Sequence, residues 1–173
     1  DLFRDLKVEH LAGFFRSVQE SLAHYAPDSG EGGEPPLIVL LTPGPYNETY
    51  FEHAYLARYL GFPLVEGPDL TVRGETVFLK TLTGLKRVHA ILRRQDDDFC
   101  DPLELRGDSA LGVPGLLQAV RAGRVLVANA LGSGVLESPA LMGFLPAVAE
   151  RLLGEPLQLS QRATWWCGEP RVL

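Results

Sequence analysis

The sequence predicts an α/β domain built on an open, mostly parallel sheet flanked by helices, in a Rossmann-like arrangement. Short apolar runs bounded by prolines or polar residues recur along the chain, as is typical of strands buried on both faces of a parallel sheet. Helical patterns separate these runs, which favours right-handed crossovers between parallel strands. The length of 173 residues fits one domain with a hydrophobic core.

The first predicted element is an amphipathic helix. Apolar residues recur at three- and four-residue intervals over residues 11–25, the period of a helix that packs one face against a core. Residues 28–36 are rich in Gly, Glu and Pro and are expected to form an exposed loop or linker. We therefore expect a helical lead-in over residues 1–30 and a single α/β substrate-binding domain over residues 31–173, together a fragment of a larger protein.

The next predicted elements are a strand, a turn and a helix. Leu37–Leu41 is a continuous apolar run and predicts a buried strand that leads into the turn Thr42–Tyr46. Asn47 is expected to cap the following helix, with Glu48 in its positively polarised first turn. Gly61 is expected to end it.

Two further strands and a hairpin follow this helix. Phe62–Glu66 is a strand candidate, and Thr71–Leu79 predicts a small hairpin that turns at Arg73 and Gly74. Val88–Leu92 predicts another buried strand.

The C-terminal half continues the alternation. Arg93–Asp101 is expected to be a polar loop, and Pro114 is expected to begin a short helix that stops at Gly123. Val125–Ala128 predicts a further strand. A last helix should begin at Ser138 and Pro139, with Pro146 kinking or interrupting it.

Composition excludes several classes of function. A formal net charge of -6 without clustered Lys or Arg argues against nucleic acid as a partner. The apolar runs are too short to span a bilayer, so no membrane partner and a cytoplasmic location are expected. Cys100, Cys167 and the four histidines show no metal-ligand spacing, which predicts no metal site and no disulfide. Neither a dinucleotide fingerprint nor a nucleophile elbow is present, and no catalytic residue is predicted.

Three strands end in polar or glycine-rich loops, and ligands of open parallel sheets bind beyond these carboxyl ends. The first loop leads into the helix that carries Asn47, Thr49 and His53. A helix N-terminus suits a carboxylate or phosphate, and Thr49 and His53 lie one turn apart where they can add donors. The alternative is that Asn47 is only a cap and His53 only a surface residue.

The second loop carries Arg93, Arg94, Asp96 and Asp97. Arginines bind carboxylates in a bidentate manner, and aspartates can receive an amine, so an amino-acid-like ligand matches both charges. The alternative is a solvated charge run. Clustered aspartates can also bind magnesium, but no phosphate-binding loop accompanies them.

The third loop contains Gly132, Ser133 and Gly134. Glycines allow backbone amides to approach a ligand, and Ser133 can hydrogen-bond to it. An ordinary turn is the alternative, since a single G-x-G is weak.

Several motifs together resemble the circularly permuted ATP-grasp proteins related to glutathionylspermidine synthase and, more distantly, glutathione synthetase. The resemblance covers residues 1–168. Its motifs are, in order, Thr42–Asn47, Tyr50–His53, Leu64–Leu70, Arg93–Phe99, Asp101–Leu105 and Leu111–Leu117.

The resemblance implies a parent enzyme that uses ATP and magnesium to activate a carboxylate as an acyl phosphate, which an amine attacks to form an amide. This chain would be its substrate-binding domain, with no cofactor of its own and no activity alone. Its partners would be the remaining ATP-grasp subdomains and a small amino-acid or peptide substrate, and a homodimer is a further expectation. By the same resemblance, Thr49, His53 and the Arg94–Asp97 loop correspond to substrate-contacting positions.

One position departs from the family pattern. Pro139 stands where many members have a lysine after the glycine loop. This departure keeps a second function open, that of a noncatalytic interaction module in a peptide-processing system.

Overall fold

The structure is a computed structural model that describes residues 2–27 and 34–168. Internal contacts divide the chain into two units, residues 1–130 and residues 131–173. Residues 28–33 of the expected linker lie outside the described residues, and the expected division near residue 30 stays a prediction.

The first unit contains two β-sheets and most of the helices. Its described helices are α1 (Leu2–Asp5), α2 (Ala12–Tyr25), α3 (Tyr50–Leu60) and α4 (Leu116–Arg121). Its described strands are β1 (Ile38–Leu41), β2 (Leu64–Val65), β3 (Leu70–Arg73), β4 (Thr76–Thr81), β5 (Gly84–Arg87), β6 (Ala90–Arg93) and β7 (Leu126–Ala128).

The larger sheet is parallel and has the strand order β2-β1-β6-β7. The chain passes from β1 to β2 on one side and later crosses to β6 on the other side of β1. The strand order therefore reverses between β1 and β6, which makes this the topological switch point where ligands of open α/β sheets bind. The prediction of an open, mostly parallel sheet flanked by helices is confirmed.

The core is centred on β1, whose four residues are all buried. Ile38 of β1 and Ala90 of β6 are paired in register and pack with Leu22 and Ala26 at the end of α2. This contact explains the three- and four-residue spacing of apolar residues in α2, because Leu22 lies on the face of α2 that meets the sheet. The predicted helix over 11–25 is confirmed with bounds one residue shorter.

The smaller sheet is antiparallel, in the order β3-β4-β5. The predicted hairpin is confirmed, but its turn lies one residue later, at Gly74 and Glu75 between the paired residues Arg73 and Thr76. Gly74 and Glu75 have φ values of 54° and 64°, the positive values that two-residue hairpin loops require. The third strand, β5, was not predicted.

The prediction for the start of α3 was wrong in detail. Thr49, rather than Asn47, is the N-cap, and Glu52, rather than Glu48, lies in the first turn. Asn47 Oδ1 accepts the Thr49 amide at 2.9 Å, which holds the preceding residues in a turn and delays the helix. Gly61 ends α3 in the left-handed conformation, as predicted.

The start of α4 also differs from the prediction, because Pro114 lies before the helix and Gly115 is the N-cap. The fully buried Asp101 supplies the capping group. Its carboxylate accepts the amides of Gly115 at 3.2 Å and Leu117 at 3.0 Å. An aspartate from an earlier loop thus accepts hydrogen bonds from N–H groups at the start of α4 that have no partner within the helix.

The second unit contains short 3₁₀ segments over Ser133–Glu137 and Pro139–Gly143 and then α5 (Leu145–Leu153). The helix predicted from Ser138 is interrupted before Pro146, as one of the two predicted outcomes, and no kink is formed. Pro146 lies in the first turn of α5, where its fixed φ and missing N–H are tolerated. Across residues 2–27 and 34–168, every helix is too short or too polar to cross a bilayer.

Candidate functional site

The site is built on the residues that follow the parallel strands at their carboxyl ends. Val65, Leu41 and Arg93 lie side by side in β2, β1 and β6. Main-chain bonds extend one residue further, since the Thr42 amide donates to Val65 O and the Arg94 amide to Leu41 O, each at 2.9 Å. The residues after these three strands form one row, which we call the carboxyl edge: Glu66, Thr42 and Arg94.

His53 joins the carboxyl edge to the start of α3. Its side chain is buried, and the residue is 2% exposed. Nδ1 lies 2.9 Å from Thr42 Oγ1 at the end of β1, and Nε2 lies 3.0 Å from Thr49 Oγ1 at the N-cap of α3. The alternative interpretation of His53 as a surface residue is therefore wrong. Both ring nitrogens are occupied by hydroxyl groups, so neither is left to bond a ligand directly.

The hydrogen-bond directions assign the tautomer of His53. The Thr49 hydroxyl donates to Asn47 Oδ1 at 2.7 Å, so its oxygen is left to accept from His53 Nε2–H. Nδ1 is then the acceptor for the Thr42 hydroxyl, whose oxygen receives the Gly44 amide at 3.3 Å. Every donor in this chain meets an acceptor when the imidazole is neutral.

The electrostatic environment also favours the neutral ring. Burial lowers the pKa of His53, the positive charge of Arg94 lowers the pKa further, and Glu52 opposes the shift. In the strand register Arg94 lies next to Thr42, whose hydroxyl contacts His53 beside the start of α3. The structure thus brings four predicted residues into one neighbourhood: Asn47, Thr49, His53 and Arg94.

Arg93 has a different environment from Arg94. Its side chain is 9% exposed and pairs with Asp97 at 2.5 Å. It also donates to the main-chain oxygens of Gln95, Asn129 and Ala130. Arg93 is therefore occupied in joining the loops after β6 and β7.

Arg94 is exposed, and among the residues that the structure describes it has no ion-pair partner. Its backbone is fixed by the bond to Leu41, while its guanidinium is available to a ligand. Of the two predicted arginines, Arg94 is the one whose geometry suits carboxylate binding.

The acidic run does not act as one cluster. Asp97 pairs with Arg93, whereas Asp96 is exposed and precedes the 3₁₀ turn Asp97–Phe99. The Asp98 carbonyl accepts the amide of Arg106. Within the two described ranges, no group of three His, Cys, Asp or Glu residues could hold a metal ion. This donor set does not fit a magnesium site.

Cys100 lies directly under this loop and is fully buried. Its thiol lies 3.2 Å from the carbonyl oxygen of Asp96. Burial raises the pKa of Cys100 to about 11, so the thiol stays protonated near neutral pH. Cys100 therefore serves the packing of the loop and is poorly suited to act as a nucleophile.

Gly132, Ser133 and Gly134 belong to the second unit. Gly132 has a φ of 87° and is the N-cap of the 3₁₀ segment that begins at Ser133. A positive φ at Gly132 is consistent with a turn that favours glycine. The role predicted for this loop stays a prediction.

Two grooves are lined by other residues of the described chain. One, of about 500 Å³, runs along α2 and is lined by Glu20, Ser21, His24 and Tyr25. The other, of about 360 Å³, lies on the apolar face of α5. Neither groove is lined by a predicted site residue.

Sequence reasoning did not single out Glu66, although it follows β2 in the same row. A would-be Cβ on Gly44 would lie 3.0 Å from Glu66 Oε2, so the carboxylate lies against the turn after β1. The signal was present, because Glu66 ends a predicted strand, but only the pairing of β2 with β1 shows that the two turns are neighbours.

Comparisons with known proteins agree with the motif pattern. An uncharacterized protein of Mycobacterium tuberculosis H37Rv, Rv2567, is 46% identical over 168 residues, which cover 97% of this chain and 19% of that protein. An uncharacterized protein of Synechocystis, sll0335, is 39% identical over 167 residues, covering 96% of this chain and 34% of its own length. The chain therefore spans only a fifth to a third of these relatives.

A further mycobacterial relative, the uncharacterized protein Rv2411c, is 46% identical over 132 residues, or 76% of this chain and 24% of its own length. The sequence profile of the family described as circularly permuted ATP-grasp type 2 matches residues 1–173. Since this match spans the whole chain, the protein belongs to the circularly permuted ATP-grasp type 2 family.

Proposed function

We propose that this chain is the substrate-binding domain of an ATP-dependent carboxylate–amine ligase and binds an amino-acid- or peptide-like substrate at the carboxyl edge. The observation that carries the proposal is Arg94, an exposed guanidinium without an ion-pair partner in the described chain, at the topological switch point beside the start of α3. Membership of the ATP-grasp family supports a ligase-related domain.

The chemistry of the carboxyl edge suits a substrate carboxylate. Arg94 can donate two parallel N–H bonds to it, and the N-terminus of α3 contributes a positive potential. The neutral His53 adds no charge but fixes the hydroxyls of Thr42 and Thr49, so the turn between β1 and α3 keeps one shape. Binding geometry fixed in advance reduces the entropy cost of holding a substrate.

The ligase reaction needs groups beyond this chain. A carboxylate attacks the γ-phosphate of ATP to give an acyl phosphate and ADP, and an amine then displaces phosphate to form an amide. We assign ATP and magnesium binding to the rest of a longer polypeptide, since this chain spans 19% of one relative and 34% of another. The domain would orient one substrate and would not turn over ATP alone. A cytosolic location, where ATP is available, belongs to the same proposal.

The test is ATP consumption by the intact protein over a matrix of amino acids and amines. For the pair that supports turnover, Arg94→Gln is expected to raise the KM of the substrate bound at the carboxyl edge by about 10- to 100-fold, because a charge-assisted hydrogen bond is lost. The matched control is Arg58→Gln, since Arg58 is an exposed arginine in the last turn of α3. An Arg94→Gln enzyme with the KM of Arg58→Gln would refute the proposal.

A second candidate function is that of a noncatalytic interaction module. Exposed apolar side chains of the second unit favour it, including Leu152, Leu159 and Trp165 at 76%, 86% and 67% exposure. This function predicts that the intact protein consumes no ATP with any amino acid and amine pair. ATP turnover that depends on both substrates would exclude it.

A further inference from the structure

We propose that Glu66 binds the α-ammonium group of the substrate whose carboxylate Arg94 binds, so that the carboxyl edge selects a zwitterionic α-amino acid unit. The inference rests on the proposed function and deepens it, because it names the charge pattern of the substrate and adds a binding residue. Glu66 then takes the role that the sequence suggested for the aspartates of the loop after β6.

The positions of Glu66 and Arg94 follow from strand pairing. Val65 and Arg93 flank Leu41 on its two sides, and Glu66 and Arg94 are the next residues of those two strands. Adjacent strands lie about 4.8 Å apart, so the two backbones are about 10 Å apart with Thr42 between them. Side chains from both positions can reach a small ligand above Thr42.

The main chain of Glu66 is held in place by reciprocal bonds with Asp69. The Glu66 amide donates to Asp69 Oδ2 at 2.9 Å, and the Asp69 amide donates to Glu66 O at 3.0 Å. The carboxylate lies against the turn after β1, where Gly44, at a φ of 100°, leaves room for it. A side chain at Gly44 would meet the Glu66 carboxylate at 3.0 Å. Glu66 is therefore directed toward the turn that connects β1 to α3.

The two opposite charges do not neutralise each other. No ion pair joins Glu66 to Arg94, and within the described chain neither residue has an ion pair with any other group. Asp97, the most direct competitor for an amine, is already paired with Arg93. A carboxylate and a guanidinium on either side of Thr42 complement a ligand that carries both charges on one carbon.

The experiment is calorimetric titration of the intact protein with each free L-amino acid, followed by the N-acetyl and α-carboxamide derivatives of the tightest binder. N-acetylation removes the positive charge and amidation removes the negative charge. Each derivative is expected to bind wild-type protein about 10- to 100-fold more weakly. Glu66→Gln should bind the free amino acid and its N-acetyl derivative about equally, while it still discriminates against the amide. Arg94→Gln should bind the free amino acid and its amide about equally, while it still discriminates against the N-acetyl derivative.

Two further variants control for structure and for net charge. Glu66→Asp keeps the charge on a shorter side chain and should retain part of the discrimination against the N-acetyl derivative. Glu20→Gln removes an exposed carboxylate from α2 and should leave both discriminations unchanged. The Glu66 side chain also takes part in a capping box with the Asp69 amide, and glutamine keeps an oxygen that can accept from this amide, so Glu66→Gln is expected to keep the wild-type circular dichroism spectrum.

The outcomes separate this inference from the proposed function. If Arg94→Gln weakens binding but Glu66→Gln still rejects the N-acetyl derivative, Glu66 is not the ammonium partner, and the proposed function stands. If no free amino acid binds, this inference is refuted, while the proposed function stands for a peptide-like substrate. If binding is independent of Arg94, both are refuted.

Discussion

Replacing Thr42 by valine tests the hydrogen-bond chain that fixes the carboxyl edge. Thr42 is fully buried, and valine has the same shape, so the substitution removes a hydroxyl without opening a cavity. His53 Nδ1 loses its donor, which costs about 1–3 kcal/mol for a buried group left without a partner. The Gly44 amide loses a longer bond of 3.3 Å, worth less than about 1 kcal/mol. We expect a total loss of about 1–4 kcal/mol.

Urea unfolding of this chain, followed by circular dichroism, measures this loss. With a slope of about 2 kcal/mol/M, the urea midpoint should fall by about 0.5–2 M at unchanged slope. Thr49→Val is the matched control, because Thr49 bonds the other ring nitrogen but is exposed. Water can replace its hydroxyl, so its cost should stay below about 0.5 kcal/mol. Equal midpoints for the two variants would contradict the contribution assigned to the buried Thr42–His53 hydrogen bond.

Three other perturbations test the same account. The pKa of His53 is below its ordinary value, so as the pH falls the unfolded chain binds a proton before the folded chain does. The stability that His53 contributes should therefore be full above about pH 6.5 and decrease below it. Urea midpoints between about pH 7.5 and 5 should show this decrease, and a smaller one in His53→Gln. Asp101→Asn should lower the free energy of unfolding by about 2–4 kcal/mol in urea titrations, because the buried carboxylate that caps α4 is replaced by an amide with one acceptor oxygen. An unchanged urea midpoint would contradict this capping role. Gly67→Ala should lower the free energy of unfolding by about 3 kcal/mol or more, because the added Cβ would lie 2.1 Å from Leu111 O. The control Gly13→Ala, in the open space of α2, should raise the thermal midpoint slightly. Similar thermal midpoints for the two variants would refute the close packing at Gly67.

The strands of the parallel sheet were predictable because burial on both faces leaves a direct mark on the sequence. The runs at 37–41 and 125–128 became β1 and β7 with one residue trimmed from an end. Strand β5 left no such mark, because its residues Gly84–Arg87 are mostly exposed and include Lys86 and Arg87. Its pairing with β4 is a tertiary contact that local pattern does not encode.

The candidate site was predictable in position but not in the roles of its residues. The switch-point rule located the turns after β1 and β6 from the order of elements alone. It could not distinguish Arg93 from Arg94, because only the three-dimensional structure shows that Arg93 is occupied by Asp97 and by carbonyl groups after β7. The burial of His53 was likewise hidden, since it depends on Thr42 lying next to the first turn of α3.

The division of the chain at Ala130 had no counterpart in the sequence analysis. The second unit has a helical apolar pattern in α5, yet Phe144, Val148 and Leu152 stay partly or largely exposed. A hydrophobic pattern indicates which face of a helix is apolar without indicating what covers it.

Amide chemical-shift mapping on the intact protein tests the central claim most directly. The amino acid that supports ATP turnover is titrated into isotope-labelled protein, and the shifts are assigned along the parallel sheet. We predict the largest shifts at the residues after β1, β2 and β6, namely Thr42 to Thr49, Glu66 and Arg94. Shifts confined to the opposite, amino ends of these strands, around Leu37 and His89, would contradict substrate binding at the carboxyl edge.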